Sequence, residues 1–270
     1  MIEKVSVLPV VIVSLLAGVF TWMMTGIGAA FVFAAKRFNQ RIFDLMLGFA
    51  AGVMVAASFW SLLSPAIEMS KNLKYFAWFP AGIGFMLGAV FLRIADRFLP
   101  HLHLGFPETE FEGIKTSLSP TALLILAITL HNIPEGLAVG VAIGAASFGL
   151  QDMTMTVALT LAAGIGIQNL PEGFAVSISL RREGVSRFKS FMYGQLSAIV
   201  EPIFAVIGTA GVMWAKSLLP YAMGFAAGAM VFVVVEEIIP EAQKHGNSDL
   251  STIGTIFGFL VMMILDVAFG

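Results

Sequence analysis

Long apolar runs separated by short polar breaks make up the whole chain. The runs fall at about 7–34, 43–66, 76–97, 120–147, 154–180, 190–213, 219–240 and 251–269. About 20 apolar residues cross a bilayer as a helix, so each run predicts one transmembrane helix. A lipid-embedded backbone must satisfy its own hydrogen bonds, which leaves only helices or a closed barrel. Barrel strands would show alternating segments of about ten residues, and these runs do not alternate. The reading is an all-α polytopic membrane protein, with eight transmembrane helices in one domain, 1–270. Val5 to Ala35 carries no charge and is too long for the apolar core of a signal peptide, so it reads as a retained first span. The longest break, about 98–119, reads as a cytoplasmic loop.

The breaks differ in charge. Lys36, Arg37, Arg41, Arg93, Arg97, Lys115, Arg181, Arg182, Arg187, Lys189 and Lys244 fall on one side, against Lys4, Lys71, Lys74 and Lys216 on the other. Basic residues favour cytoplasmic loops, so both termini are expected to be extracytoplasmic, which agrees with an even number of spans. Composition agrees: 58% hydrophobic and 12% charged residues, with mean hydropathy +0.92, exceed what a soluble domain of this length can bury. The expected surroundings are the lipid bilayer of the cell (inner) membrane. A net charge of −2 gives no reason to expect nucleic acid as a partner, and the absence of cysteine excludes disulfides and thiolate metal ligation.

Chemistry enters where the apolar runs are interrupted. The fourth span contains "ITLHNIPEGLAVG" (128–140), and the fifth a near-copy, "IGIQNLPEGFAVS" (165–177). His131 and Glu135 stand four residues apart, on one helix face, with Asn132 beside them. Pro134 has no N–H, so the Leu130 carbonyl loses its helical partner; Pro171 does the same to Ile167 beside Gln168, Asn169 and Glu172. A short turn between the spans makes them antiparallel, so the two motifs can face each other at similar depth. The sixth span adds Glu201, followed by Pro202, with Gln195 and Ser197 toward its start.

A charge at the bilayer centre costs about 2.5–3.5 kcal/mol on insertion scales, so three uncompensated glutamates would cost on the order of 8–10 kcal/mol. That is comparable to the stability of a whole fold. The glutamates must therefore be protonated, hydrated or paired with a cation, and no Lys or Arg lies in the cores of these spans. Imidazole, carboxylate and amide donors suit Zn²⁺, Cd²⁺, Fe²⁺ and Mn²⁺. A proton relay needs titratable groups, whereas the paired amides only coordinate. An intramembrane metalloenzyme is less well matched, because HNIPE is not H-E-x-x-H. A proton- or sodium-coupled carrier of an organic solute would show aromatic or basic groups around the site, and spans four to six offer none. The expectation is a transporter with a metal substrate, not an enzyme, and no catalytic cofactor.

Several residues outside the motifs are candidates for lesser roles. Glu68 ends span two and reads as a possible entrance residue or a helix-end carboxylate. Glu236 and Glu237, near the inner end of span seven, suggest an exit path. His101 and His103 lie with three glutamates in the 98–119 loop and suggest metal collection, or a solvated loop. Asp44 reads as a helix N-terminal charge; Glu241 and His245 read as solvated, and Asp266 has no assigned role.

"HNIPEG" and "QNLPEG" on consecutive spans, with "EP" on the next, closely resemble the ZIP (Zrt/Irt-like) family of metal transporters, in its bacterial GufA-like branch. "DLMLGFAAGVMVAAS" (44–58) and "GFAAGAMVFVVVEEIIPE" (224–241) extend the likeness over nearly the whole chain. The resemblance implies a binuclear site: one metal among His131, Glu135, Gln168 and Glu172, and a second among Asn132, Glu135, Asn169, Glu172 and Glu201. Relatives often carry Asp where this chain has Asn169, which makes the second position less negative; its ion would be transported or structural. The resemblance also implies a 3+2+3 inverted-repeat arrangement, frequent homodimers, and elevator-like motion of spans 1, 4, 5 and 6 against 2, 3, 7 and 8. The repeated "GFAAG" at 48–52 and 224–228 fits such a repeat.

Overall fold

A computed structural model describes residues 7–34, 39–98, 120–149 and 153–269. His101 and His103 lie outside the described residues. The described residues are helical almost throughout. They form α1 (Val7–Ala34), α2 (Gln40–Ala57), α3 (Ser64–Glu68), α4 (Trp78–Phe98), α5 (Pro120–Ala146), α6 (Met155–Arg182), α7 (Arg187–Ser197), α8 (Val200–Trp214), α9 (Leu219–Val233), α10 (Ile239–Gln243) and α11 (Ser248–Phe269). Counted through their bends, seven helices among the described residues are long and apolar enough to cross a membrane. The 28-residue α6 is not one of them, because Gln168, Asn169, Pro171 and Glu172 interrupt its middle. Its apolarity matters less than that of its neighbours, since α1, α2, α5 and α7 cover it. Local chemistry sets its ends: the Thr154 hydroxyl accepts from the Val157 N–H at 3.2 Å, and Gly184, at φ 86°, ends it in a left-handed turn.

Proline accounts for the irregular stretches. A π-helical turn, Ser58–Leu63, joins α2 to α3 just before Pro65, and a second, Val234–Ile238, joins α9 to α10 just before Pro240. The expected continuous sixth span, 190–213, is broken into α7 and α8. Pro202 cannot donate to the Ala198 carbonyl, which instead accepts from the Glu201 N–H at 3.0 Å in a tighter turn. The break places Glu201 in the first turn of α8.

Packing divides the long helices into two groups. The most extensive pairings are α1 with α6 and α5 with α8 in one group, and α2 with α11 and α4 with α9 in the other. Hydroxyls tie the first group together: Thr209 Oγ1 lies 2.8 Å from the Gly140 carbonyl oxygen and 2.7 Å from Ser14 Oγ, and Ser14 donates to the Ala205 carbonyl at 2.8 Å. Glycines bring the second group to backbone contact. Gly48 and Gly52 of α2 meet α11 at Ser251 and Thr255, while Gly254 and Gly258 of α11 meet α2 at Leu45 and Phe49. Gly224 and Gly228 of α9 meet α4 at Ala81 and Phe85, and Gly84 and Gly88 return the contact at Tyr221 and Phe225. At each, a Cβ would run into a carbonyl of the partner helix, so small residues are what permit the approach. The two zippers have the same construction, and each GFAAG is followed by a π turn and a proline.

At the arginine-rich end the two groups touch. Arg182 of α6 donates to Gln40 Oε1 at 2.7 Å, and Gln40 in turn donates to the buried Asp44 at 2.7 Å. Asn247 donates to the other Asp44 oxygen at 2.8 Å, and His245 lies 3.4 Å from the first. Asp44 is thus a fully buried junction rather than a helix-end charge alone. Burial holds the Arg182 guanidinium below its ordinary pKa, and the Glu241 and Asp44 carboxylates oppose that shift.

Candidate metal centre

The two motifs meet where α5 and α6 lie side by side, with α8 and α1 closing the sides. Their glycines set the distances: Gly136 abuts the backbone of Glu201, and Gly173 abuts the backbone of Thr25 on α1. Asn132, Glu135, Gln168, Asn169 and Glu201 are all buried, although each is polar. Glu172 is partly covered, with Oε1 buried. Buried polar groups need partners, and here the amides supply most of them. Gln168 Nε2 donates to Glu135 Oε1 at 2.7 Å and to Asn169 Oδ1 at 2.6 Å. Asn169 Nδ2 faces both Glu201 oxygens, at 2.9 and 3.0 Å, and the Thr21 carbonyl at 3.2 Å. Asn132 Nδ2 donates to the Ile128 carbonyl of its own helix at 3.0 Å.

Three oxygens in this cluster are buried without a hydrogen-bond partner: Glu135 Oε2, Gln168 Oε1 and Glu172 Oε1. A buried acceptor left unpaired costs about 1–3 kcal/mol, more for a charged group. Hard oxygen donors left open in this way fit a cation. Among the described residues, no three His, Asp or Glu side chains form a ready metal cage by themselves; amides stand between the carboxylates.

His131 is held from the α9 side. Its Nε2 meets Glu237 Oε1, and the two residues line a small cavity with Asp96, Leu92 and Phe232. The spacing of four residues from Glu135 puts it one turn along the same helix, where α9 comes within reach. Glu236 lies beside Arg93 at 3.5 Å, and Arg93 also reaches Asp96 at 3.1 Å. Glu68 pairs with Lys71 at the other end of the molecule.

Two carboxylates were not singled out for a role in the sequence. Asp96 and Asp266 are both buried, each eight residues beyond the second glycine of its zipper helix. Asp266 accepts from Ser61 at 2.6 Å and keeps Oδ2 unpartnered. Ser61 and Glu237 likewise stand nine residues beyond their GFAAG glycines. The register of the two glycine zippers is the signal that relates these residues, and it emerges once the helices are paired.

A helical body with a buried polar centre built from two copies of one helix motif defines a polytopic membrane protein with polar side chains gathered between its spans. The chain belongs to the ZIP zinc transporter family, whose profile matches residues 5–117 and 107–266. It is 43% identical over 330 residues to Zinc transporter ZIP11 of Xenopus tropicalis, covering 96% of this chain and 98% of that protein. It is 34% identical over 262 residues to Zinc transporter GufA of Myxococcus xanthus, covering 96% and 98%. To Zinc transporter ZIPB of Bordetella bronchiseptica it is 35% identical over 261 residues, covering 95% and 81%. The protein is thus a multi-pass membrane member of a metal-transport family.

Proposed function

We propose that this chain carries zinc across the inner membrane into the cytoplasm, with cadmium, iron and manganese as further dications its donor set admits. The observation that carries this reading is the set of open oxygens on Glu135, Gln168 and Glu172, buried on two facing helices. The ion is substrate, and the side chains that take it are Glu135, Gln168 and Glu172, with His131 at the edge toward Glu237. Asn132, Asn169 and Glu201 form the adjoining half of the centre. Mixed oxygen and imidazole ligation binds firmly enough to strip water and loosely enough to release. Glu236 and Glu237, with Asp96 close by, serve as the exit, and Glu68 as an entrance residue.

In this reading α6 is the eighth span, both termini are extracytoplasmic, and the arginine-rich end is cytoplasmic. The matching zippers, π turns and buried aspartates support an inverted 3+2+3 repeat. Transport then moves the α1, α5, α6, α7 and α8 group, which holds the centre, against the α2, α4, α9 and α11 group. Internal hydroxyl bonds keep the first group rigid, and glycine contacts keep the second.

Zinc should stabilise the purified protein by mass action, about 2.7 kcal/mol at a hundred times the dissociation constant. The melting temperature of wild type should rise with micromolar zinc, and that of Glu172→Ala should rise much less. Equal stabilisation of both proteins would remove Glu172 from the site.

A further inference from the structure

We propose that this centre holds a single dication, because the Asn169 carboxamide fills the second metal position. The inference rests on the site reading above and decides its stoichiometry. Of the open oxygens, Gln168 Oε1 is particular to the first position, while Glu135 Oε2 and Glu172 Oε1 belong to residues common to both. None belongs to Asn132, Asn169 or Glu201, the residues particular to the second.

The reason lies in how Asn169 is held. Its Nδ2 faces both oxygens of Glu201, at 2.9 and 3.0 Å, so the partly positive amide hydrogens stand where a second metal would take that carboxylate. The third neighbour of Nδ2 is the Thr21 carbonyl, at 3.2 Å, which fixes the amide from the α1 side. On its other edge, Oδ1 accepts from Gln168 Nε2 at 2.6 Å. Turning the amide over to offer Oδ1 beside Glu201 would break these bonds and set two NH₂ groups against each other. Gln168 cannot easily yield, because the same Nε2 also donates to Glu135 Oε1 at 2.7 Å. Amide orientation is assigned from such a network, and here every donor finds an acceptor only one way round.

Charge leads to the same result. Glu135 and Glu172 balance one dication. Glu201 accepts from the Asn169 NH₂ group and sits in the first turn of α8, where a helix N-terminus favours an anion. A second dication would leave a buried net positive charge among only three carboxylates, and a buried unpaired charge is expensive. An aspartate at 169 would remove the amide donor and restore neutrality for two ions.

The test is cadmium stoichiometry of the full chain in lipid nanodiscs, for wild type, Asn169→Asp and Glu135→Ala. Subtracting the Glu135→Ala value removes ions bound at the surface. The proposal predicts a difference of one cadmium per chain for wild type and two for Asn169→Asp. Two for wild type overturns it while leaving the site reading intact; one for both proteins overturns the role of Asn169. No difference between wild type and Glu135→Ala overturns the site reading and the proposal with it. If Asn169→Asp does not fold, the wild-type difference alone decides.

Discussion

Replacing Glu135 by alanine is expected to lower zinc uptake into proteoliposomes by about 100-fold or more, with the protein still folded. Even outer partners of metal ligands change metal affinity by 10–100-fold, and Glu135 is placed inside the ligand set. It is fully buried, one oxygen fixed by Gln168 and the other open. Removing the carboxylate halves the negative charge of the first position and also frees one Gln168 N–H. Folding should survive, because deleting an under-compensated buried carboxyl relieves as much as it costs. Glu135→Gln, which preserves shape and removes charge, should be nearly as inactive. Wild-type uptake by Glu135→Ala would exclude it as a ligand.

The second large effect is on stability. Gly52→Leu should lower the stability of the protein in detergent by about 3 kcal/mol, the upper end of ordinary overpacking costs. A Cβ at Gly52 would run into the Thr255 carbonyl and also lie 2.6 Å from the Phe259 amide nitrogen. Both obstacles are backbone, so relief requires α2 and α11 to separate. Gly211 on α8 supplies the contrast. Nothing lies within 4 Å of a Cβ built there. Gly211→Leu should therefore be neutral or slightly stabilising, since glycine is among the poorest helix formers. Similar melting temperatures for the two variants would mean that the zipper does not hold these helices together.

Much of this was legible in the sequence because lipid imposes one dominant rule. Apolar runs must be helices, and polar residues inside them need a reason. The paired motifs drew notice for that reason, as did Glu201. The break before Val200 was less legible, because Pro202 alone does not say whether a helix kinks or stops. Pro134 and Pro171 sit within continuous α5 and α6, so the same residue has two outcomes. At Pro202 the Glu201 N–H takes the freed Ala198 carbonyl in a tighter turn. The direction of His131 depended on α9 lying close, which no spacing within α5 could show. Asp96 and Asp266 needed the paired registers of two helices that are far apart in sequence. Asp44 gave a good account as a helix-end charge and proved to be the buried centre of a polar cluster.

The most direct test of the central claim is an anomalous-scattering map at the zinc edge, from crystals grown with zinc. The account predicts a strong peak between α5 and α6, within bonding distance of Glu135 and Glu172. Peaks confined to exposed carboxylates such as Glu68, with no density between those two helices, would contradict it.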